Sequence, residues 1–412
     1  MKYSFKSTIL LIANLIFIFS GTLKLSSCFA KDLLEINLDK EIKKGNFLIG
    51  LKRYLGNKNE SEDLLRFKTE NDFLEVQSLN GVIHQSKEIK ILLQEIPLEK
   101  PFVIERLVSK PYASYESAKK AFQNLQQRGF NPQLSMPKSW ELSLPIQMQD
   151  QVRKDFRVKR KIVKNKVVPY LINKYTYQKL DGPISINSVE DIKINNIKYG
   201  KNFYLIKDSY GTWTLVQKIP FNKYLNGVLP HEIGANSPIE SLKAQAVIAR
   251  TWAIYNSKRF EADNFHLCIT TQCQVYKPSA GNKNIKQAIL DTRYQVLTYS
   301  DRPINAFYHA SNGGISANAS ESWRIKDYPY LISNVDLIKI VNYDLNLNLY
   351  KENQLLSFLQ RDKNDFFGKD HYLFRWQKKV SATQINNLLI KNNLLKQNGA
   401  ISNIKVISRG VS

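Results

Sequence analysis

Cysteine is nearly absent from this chain: of 412 residues only Cys28, Cys268 and Cys273 are cysteines. Acidic residues are scarce too, 36 against 60 Lys and Arg, which leaves a net charge of +24. Outside the N-terminus no run is apolar enough to cross a bilayer, so any membrane attachment has to lie there. Long basic blocks are missing as well. A lysine-rich composition with abundant Asn and Ile accounts for much of the scattered charge, and the rest favours an anionic partner: nucleic acid, acidic lipid headgroups or a carboxylate-bearing wall polymer.

The N-terminus narrows that choice. Lys2 and Lys6 precede STILLIANLIFIFSG, and LKLSSCFAKD then offers small residues at Cys28 and Ala30. This is the pattern of an export signal over 1–30, cleaved after Ala30. Two alternatives stay open: LSSC acting as a lipobox that lipidates Cys28, against which Lys24 stands, and an uncut signal that tethers the protein. Export to the periplasm or cell envelope removes nucleic acid from the partners and leaves wall or membrane. Cys268 and Cys273 remain after cleavage, and in an oxidising compartment a disulfide between them is the first expectation.

The length implies two or three units, and the 43% apolar content is that of a globular protein. Residues 31–95 alternate in short bursts (NFLIGLKRYLG, DFLEVQSLNGVI, EIKILLQEI) that read as strands. Residues 100–146 read strand, helix, strand, with Ser114 as cap, a buried face of Ala118, Ala121, Phe122 and Leu125, and Gly129 as stop. This βαβ module resembles the half-repeat of the SPOR peptidoglycan-binding domain. The densest basic cluster, QDQVRKDFRVKRKIVKNKV, predicts a solvated linker over 150–175. From 180 onward β patterning with turns at Gly200 and Gly211 leads into GVLPHEIGANSPIESLKAQAVIARTW at 227–252. There Ser237, Pro238 and Glu240 predict a capped helix start, and Ile239, Leu242, Ala246, Ala249 and Ala253 recur as one buried stripe, with Gln245 off it. Glu232 sits in the Gly/Asn loop before that helix, with Lys243 and Arg250 two turns apart on it. A carboxylate so held is a candidate for acid/base chemistry; a solvated loop glutamate is the alternative.

Four blocks in order, YLNGVLPHEIGANSPIESLKAQAVIARTWA at 224–253, FHLCITTQCQVY at 265–276, YQVLTYSDRPINAFYHASNGGISANASESW at 294–323 and YPYLISNVD at 328–336, resemble the SpoIID/LytB family of stage II sporulation protein D and amidase enhancers. The resemblance implies an α+β fold with a catalytic domain over 180–412, its core at 220–340, and a β framework behind the helix. It also implies an exported peptidoglycan lytic transglycosylase acting on strands stripped of stem peptides, with the glutamate of a P-x-E motif, here Glu232, as acid/base. His231 stands where relatives commonly carry Ser; it either alters the acid's surroundings or makes a simple loop contact. The competing expectation is a non-catalytic wall-binding protein that stimulates an N-acetylmuramoyl-L-alanine amidase. The same chemistry serves sporulation, division and wall turnover.

Residue chemistry adds to this. Hydrolysing glycosidases normally need two carboxylates. Glu261, Asp263, Asp291 and Glu321 share no motif with Glu232, whereas a transglycosylase manages with one. Such a cycle starts from a protonated acid, which an apolar setting between Leu229 and Ile233 favours. Lys243 and Arg250 are therefore expected at the substrate, gripping the lactyl carboxylate of a stripped muramyl unit. Gln274 and Tyr276 alternate as on a strand and are candidates for sugar contacts. His309 and Ser311 share a strand face, but no acidic orienter or nucleophile elbow supports a Ser-His hydrolase, so they are expected in the groove with Gly313 and Gly314, which suit a sharp turn or close ligand approach. Trp323 is a sugar platform or a core residue. Relatives that hold zinc use histidines beside such cysteines; this chain offers His266, but Gln272 precedes Cys273, so a four-ligand site is incomplete and no cofactor is expected. The ending ISNIKVISRGVS breaks off in a strand pattern where relatives continue.

Overall fold

The computed structural model describes residues 36–56, 63–152, 154–279, 282–323, 325–338, 351–392, 394–395, 401 and 403–405. The expected signal segment, Cys28 and the last residues of the chain lie outside them. No helix among the described residues is long and apolar enough to cross a membrane. The fold is α+β, and its contacts divide the chain into two units, Met1–Phe307 and Tyr308–Ser412.

In the first unit a short helix α1 (Leu38–Lys43), capped by the Asn37 side chain, precedes strand β1 (Asn46–Leu55). Strands β2 (Leu64–Lys68), β3 (Leu74–Gln77) and β4 (Ile83–Ser86) lead to the long β5 (Glu88–Ser109). Helix α2 (Tyr115–Gln127) follows, its first turn capped by Ser114 Oγ accepting from the Ser117 N–H, and Gly129 at φ +83° ends it. Strands β6 (Gln133–Ser135) and β7 (Glu141–Pro145) complete the expected strand-helix-strand module. Tyr115, Glu116, Ala118 and Leu125 are its buried face.

The expected linker is not a linker. Phe156–Ile172 forms strand β8, paired antiparallel with β5 from Lys90↔Ile172 to Ser109↔Phe156. Six basic residues, Arg157, Lys159, Arg160, Lys161, Lys164 and Lys166, obscured its β-branched content, although Val167, Val168 and Leu171 are buried as a half-covered strand requires. Strand β9 (Tyr177–Lys179) pairs with β8, and β10 (Ile184–Asn187), β11 (Lys193–Ile194), β12 (Ile197–Lys198), β13 (Asn202–Lys207) and β14 (Trp213–Pro220) follow.

A seven-stranded sheet runs β15-β1-β14-β13-β10-β3-β4, where β15 is Leu267–Cys268. Strands β1, β3 and β4 of the 31–95 region are thus built into one sheet with 184–268 rather than standing apart, while β2 and β5 belong to a second, eight-stranded sheet with β6, β7, β8, β9, β11 and β12. Helices α3 (Phe221–Leu229), α4 (Ile239–Tyr255) and α5 (Lys283–Asp291) share its core, in which Tyr224, Val228, Leu242, Ala246 and Ala249 join Phe47, Leu205 and Leu215. The Arg259 guanidinium, 4.1 Å from the Tyr115 ring centroid, pairs with Glu116 at 3.2 Å and fastens α2 to the end of α4.

The second unit has helices α6 (Ala319–Trp323), α7 (Glu352–Gln360) and α8 (Ala382–Lys391), the last begun by a Ser381/Gln384 capping box. Its core is Ile315, Phe358, Phe366 and Phe374, and Arg375 lies over the three phenylalanine rings at 5.2–5.4 Å while donating to the Phe358, Leu359 and Arg361 carbonyls.

Candidate functional site around Glu232

Helix α3 does not stop at the P-x-E motif. It runs on through one π-helical turn, Pro230–Gly234, which closes at Gly234 with φ +92°. Such turns widen a helix and occur often at functional positions. Ser237 does not cap α4 as expected: Pro238 holds that position, and the Ser237 hydroxyl donates to the Ile233 carbonyl at 2.7 Å, fastening the π turn. Glu232 is half-buried in this turn, between buried Leu229 and half-buried Ile233.

What aims Glu232 is a backbone group. The Val275 N–H donates to Glu232 Oε1 at 2.7 Å. The 275–279 segment is laid against α3 by the Lys277 N–H donating to the Gly227 carbonyl at 3.1 Å and by Asn226 Nδ2 donating to the Ser279 carbonyl at 3.3 Å. That approach needs Gly227, because a Cβ there would lie 2.4 Å from the Tyr276 ring and 2.6 Å from the Lys277 carbonyl. Among the described residues, no hydrogen bond or ion pair joins Glu232 to a second carboxylate, and Oε2 has no protein partner. His231 is exposed beside it; desolvation first, and the Lys277 charge second, hold its imidazole below the usual value, against the pull of Glu232.

Several expected substrate contacts are engaged by other parts of the protein. Arg250 is 3% exposed and spends its guanidinium on the Gln295 carbonyl at 3.0 Å and the Ile289 carbonyl at 3.4 Å, where the C-terminal end of α5 presents unpaired carbonyls. Lys243 pairs with Glu240 at 2.9 Å and Asp291 at 3.4 Å. Gln274, 1% exposed, accepts from the Tyr224 hydroxyl at 3.1 Å and donates to the Ala249 carbonyl at 3.3 Å, so it clamps α3 to α4. Tyr276, 4% exposed, stacks on Tyr224 at 5.6 Å and donates to Gln217 Oε1. The predicted α4 stripe holds except at Ile239, which is exposed, while Gln245 is buried.

Cys268 and Cys273 are both free thiols, and the Cys268 N–H donates to Cys273 Sγ at 2.9 Å. The donors here do not fit a zinc ion. His266 Nδ1 accepts from the Leu48 N–H at 2.8 Å and Nε2 faces the Leu38 carbonyl at 3.0 Å, so both ring nitrogens are engaged, and Gln272 accepts from the Trp140 indole. His309, Ser311, Gly313, Gly314 and Trp323 belong to the second unit. His309 is exposed and Trp323 half-buried. Gly313 and Gly314 form the expected sharp turn, at φ +69° and +104°, and the Gly314 carbonyl accepts from the Asp336 N–H at 2.9 Å.

Comparison with known proteins agrees with this division. Residues 209–299 match the family described as stage II sporulation protein, SpoIID, and residues 317–412 match a domain family of unknown function, DUF8618. The blocks at 294–323 and 328–336 thus fall mostly beyond the SpoIID match. An uncharacterized protein of Brachyspira hyodysenteriae is 33% identical over 155 residues, 36% of this chain and 40% of its own length. The amidase enhancer of Bacillus subtilis is 39% identical over 112 residues, 27% of this chain and 15% of its own. Stage II sporulation protein D of Bacillus subtilis is 34% identical over 134 residues, 29% of this chain and 39% of its own. The chain therefore spans well under half the length of these relatives. The region that matches the SpoIID family, 209–299, is the one that carries Glu232 and the helix behind it.

Proposed function

We propose that this protein is an exported peptidoglycan lytic transglycosylase that cleaves stem-peptide-stripped glycan strands with Glu232 as its single acid/base. The observation that carries this reading is the Glu232 carboxylate itself: one oxygen is fixed at 2.7 Å by the Val275 N–H, the other has no protein partner among the described residues, and no second carboxylate is hydrogen-bonded to it. A hydrolase of the usual kind needs that second group. In the proposed cycle the protonated Glu232 donates to the glycosidic oxygen as the bond to the muramyl anomeric carbon breaks. The carboxylate then takes the proton of the muramyl 6-hydroxyl, whose oxygen closes on the anomeric carbon to give a 1,6-anhydro end. The proton balance is zero, no water is consumed and no cofactor is called for. The Val275 amide keeps the carboxylate in place through both transfers.

Similarity to an amidase enhancer supports a second reading, a wall-binding protein that stimulates an N-acetylmuramoyl-L-alanine amidase without cutting glycan itself. Incubating the purified protein alone with stem-stripped glycan separates the two. Anhydro-muramyl ends detected by mass spectrometry support the enzyme; intact strands, with faster stem removal when an amidase is added, support the enhancer.

A further inference from the structure

Between α3, α5 and the ends of β13 and β14 lies a cavity of about 530 Å³, within the usual range for small-molecule sites. Glu232 does not line it. Four lysines do: Lys201, Lys218, Lys223 and Lys286. Lys218 is matched by Glu41 at 2.9 Å. Among the described residues no carboxylate lies within ion-pair distance of the other three, and Asp191 is the one acidic residue of the lining. Three cations thus line one concave space, Lys223 from α3, Lys286 from α5 and Lys201 from the bend before β13. Helix α3 also begins at its wall, with Pro220 in the cap position and no side-chain cap.

The wall carries a second sign of a missing partner. Asn226 donates through Nδ2 to the Ser279 carbonyl, which orients its amide, and its Oδ1 is buried with no hydrogen-bond partner. A buried acceptor left alone is costly, and a ligand hydroxyl or amide N–H would satisfy it. Tyr199 leaves part of its ring exposed in the same lining, where it can pack on the C–H face of a sugar.

We propose that this cavity binds a carboxylate-bearing amino sugar of the muramic acid type, its carboxylate facing Lys201, Lys223 and Lys286 and a hydroxyl or amide facing Asn226. The assignment rests on the glycan reading of Glu232 and extends it. One segment serves both places: Val275 aims Glu232, while Tyr276, Pro278 and Ser279 form a wall of the cavity. The site would hold an acidic sugar of the strand beside the cutting point, the role first expected of Lys243 and Arg250.

The test uses full-length Glu232→Gln protein, titrated calorimetrically with N-acetylmuramic acid and with N-acetylglucosamine, which lacks the lactyl carboxylate. The acidic sugar should bind at least about tenfold more tightly, and the double substitution Lys223→Ala/Lys286→Ala should abolish that preference at an unchanged melting temperature. Lys223→Arg/Lys286→Arg should retain it. Equal binding of the two sugars, or a preference untouched by the alanine pair, overturns the proposal. Binding is read without turnover, so the two readings fail separately. A wild-type protein that cleaves nothing yet keeps the preference supports the cavity and sinks the enzyme, and cleavage without preference does the reverse.

Discussion

In the proposed cycle Glu232 gives a proton and takes one back, which requires hydrogen-bond reach of two oxygens in turn, and a main-chain amide holds its carboxylate in position. The P-x-E motif made Glu232 legible in the sequence. Its orienting partner was not, because any residue supplies a backbone N–H and Val275 carries no mark of the role. Gly227 was equally silent: a glycine inside a helical pattern says that something comes close without saying what. Its closeness to Tyr276 and Lys277 makes a prediction. Gly227→Ala should destabilise the protein by about 2 kcal/mol through overpacking and should lower glycan cleavage more than that loss of folded protein explains, since it displaces the segment that holds Glu232. Denaturant melts run beside cleavage assays check both parts; cleavage at the wild-type rate would disprove the second.

At the scale of elements, α4 and α5 are joined by a cation that the sequence suggested for the substrate. Spacing places Arg250 on a helix face but cannot distinguish a ligand carboxylate from the carbonyls at a neighbouring helix end, because both attract a guanidinium. Arg250→Ala should cost about 3 kcal/mol of stability by emptying a buried site and leaving the Ile289 carbonyl buried and unpaired. Lys243→Ala, at an exposed pair, should leave the melting temperature nearly unchanged. Equal effects of the two substitutions, followed by thermal denaturation, would contradict this assignment. Helices α2 and α4 were readable from periodicity, and Ser114 and Gly129 bounded α2 as expected, whereas α3 lies where β patterning was expected and α5 was not anticipated. Strand β8 was not, since its lysines point to solvent and dominate the composition while its pairing with β5 is long-range. The π turn was hidden for a similar reason: proline followed by Gly234 reads as a loop, and the Ser237 hydroxyl that closes it reads as a cap.

For the whole molecule, His266, just ahead of β15, links β1 to the first residue of α1. Burial, opposed by the Leu38 hydrogen bond, holds its imidazole down to about 4. The folded protein therefore resists protonation that the unfolded chain accepts near pH 6.5, so this contribution to stability is complete above that pH and is lost as pH falls toward 4. Relative to His266→Gln, the wild type should lose about 2.5 kcal/mol between pH 7.5 and 4.5. Urea melts at both pH values check it, and parallel loss in the two proteins would contradict it. The division of the chain was the least legible level. The SpoIID likeness was expected over 180–412, whereas the family match ends at 299 and the contacts divide at 307/308. Strands supplied by residues 46–86 complete the sheet behind the site, a long-range pairing that no local window contains.

All of this converges on one carboxyl group. Wild-type and Glu232→Gln proteins, shown by circular dichroism to melt alike, are incubated with stem-stripped glycan, and the released strand ends are weighed by mass spectrometry. The account predicts 1,6-anhydro-muramyl ends from the wild type and a loss of about a thousandfold or more from the glutamine variant, which keeps the Val275 contact but has no proton to exchange. Equal yields from both proteins would contradict it.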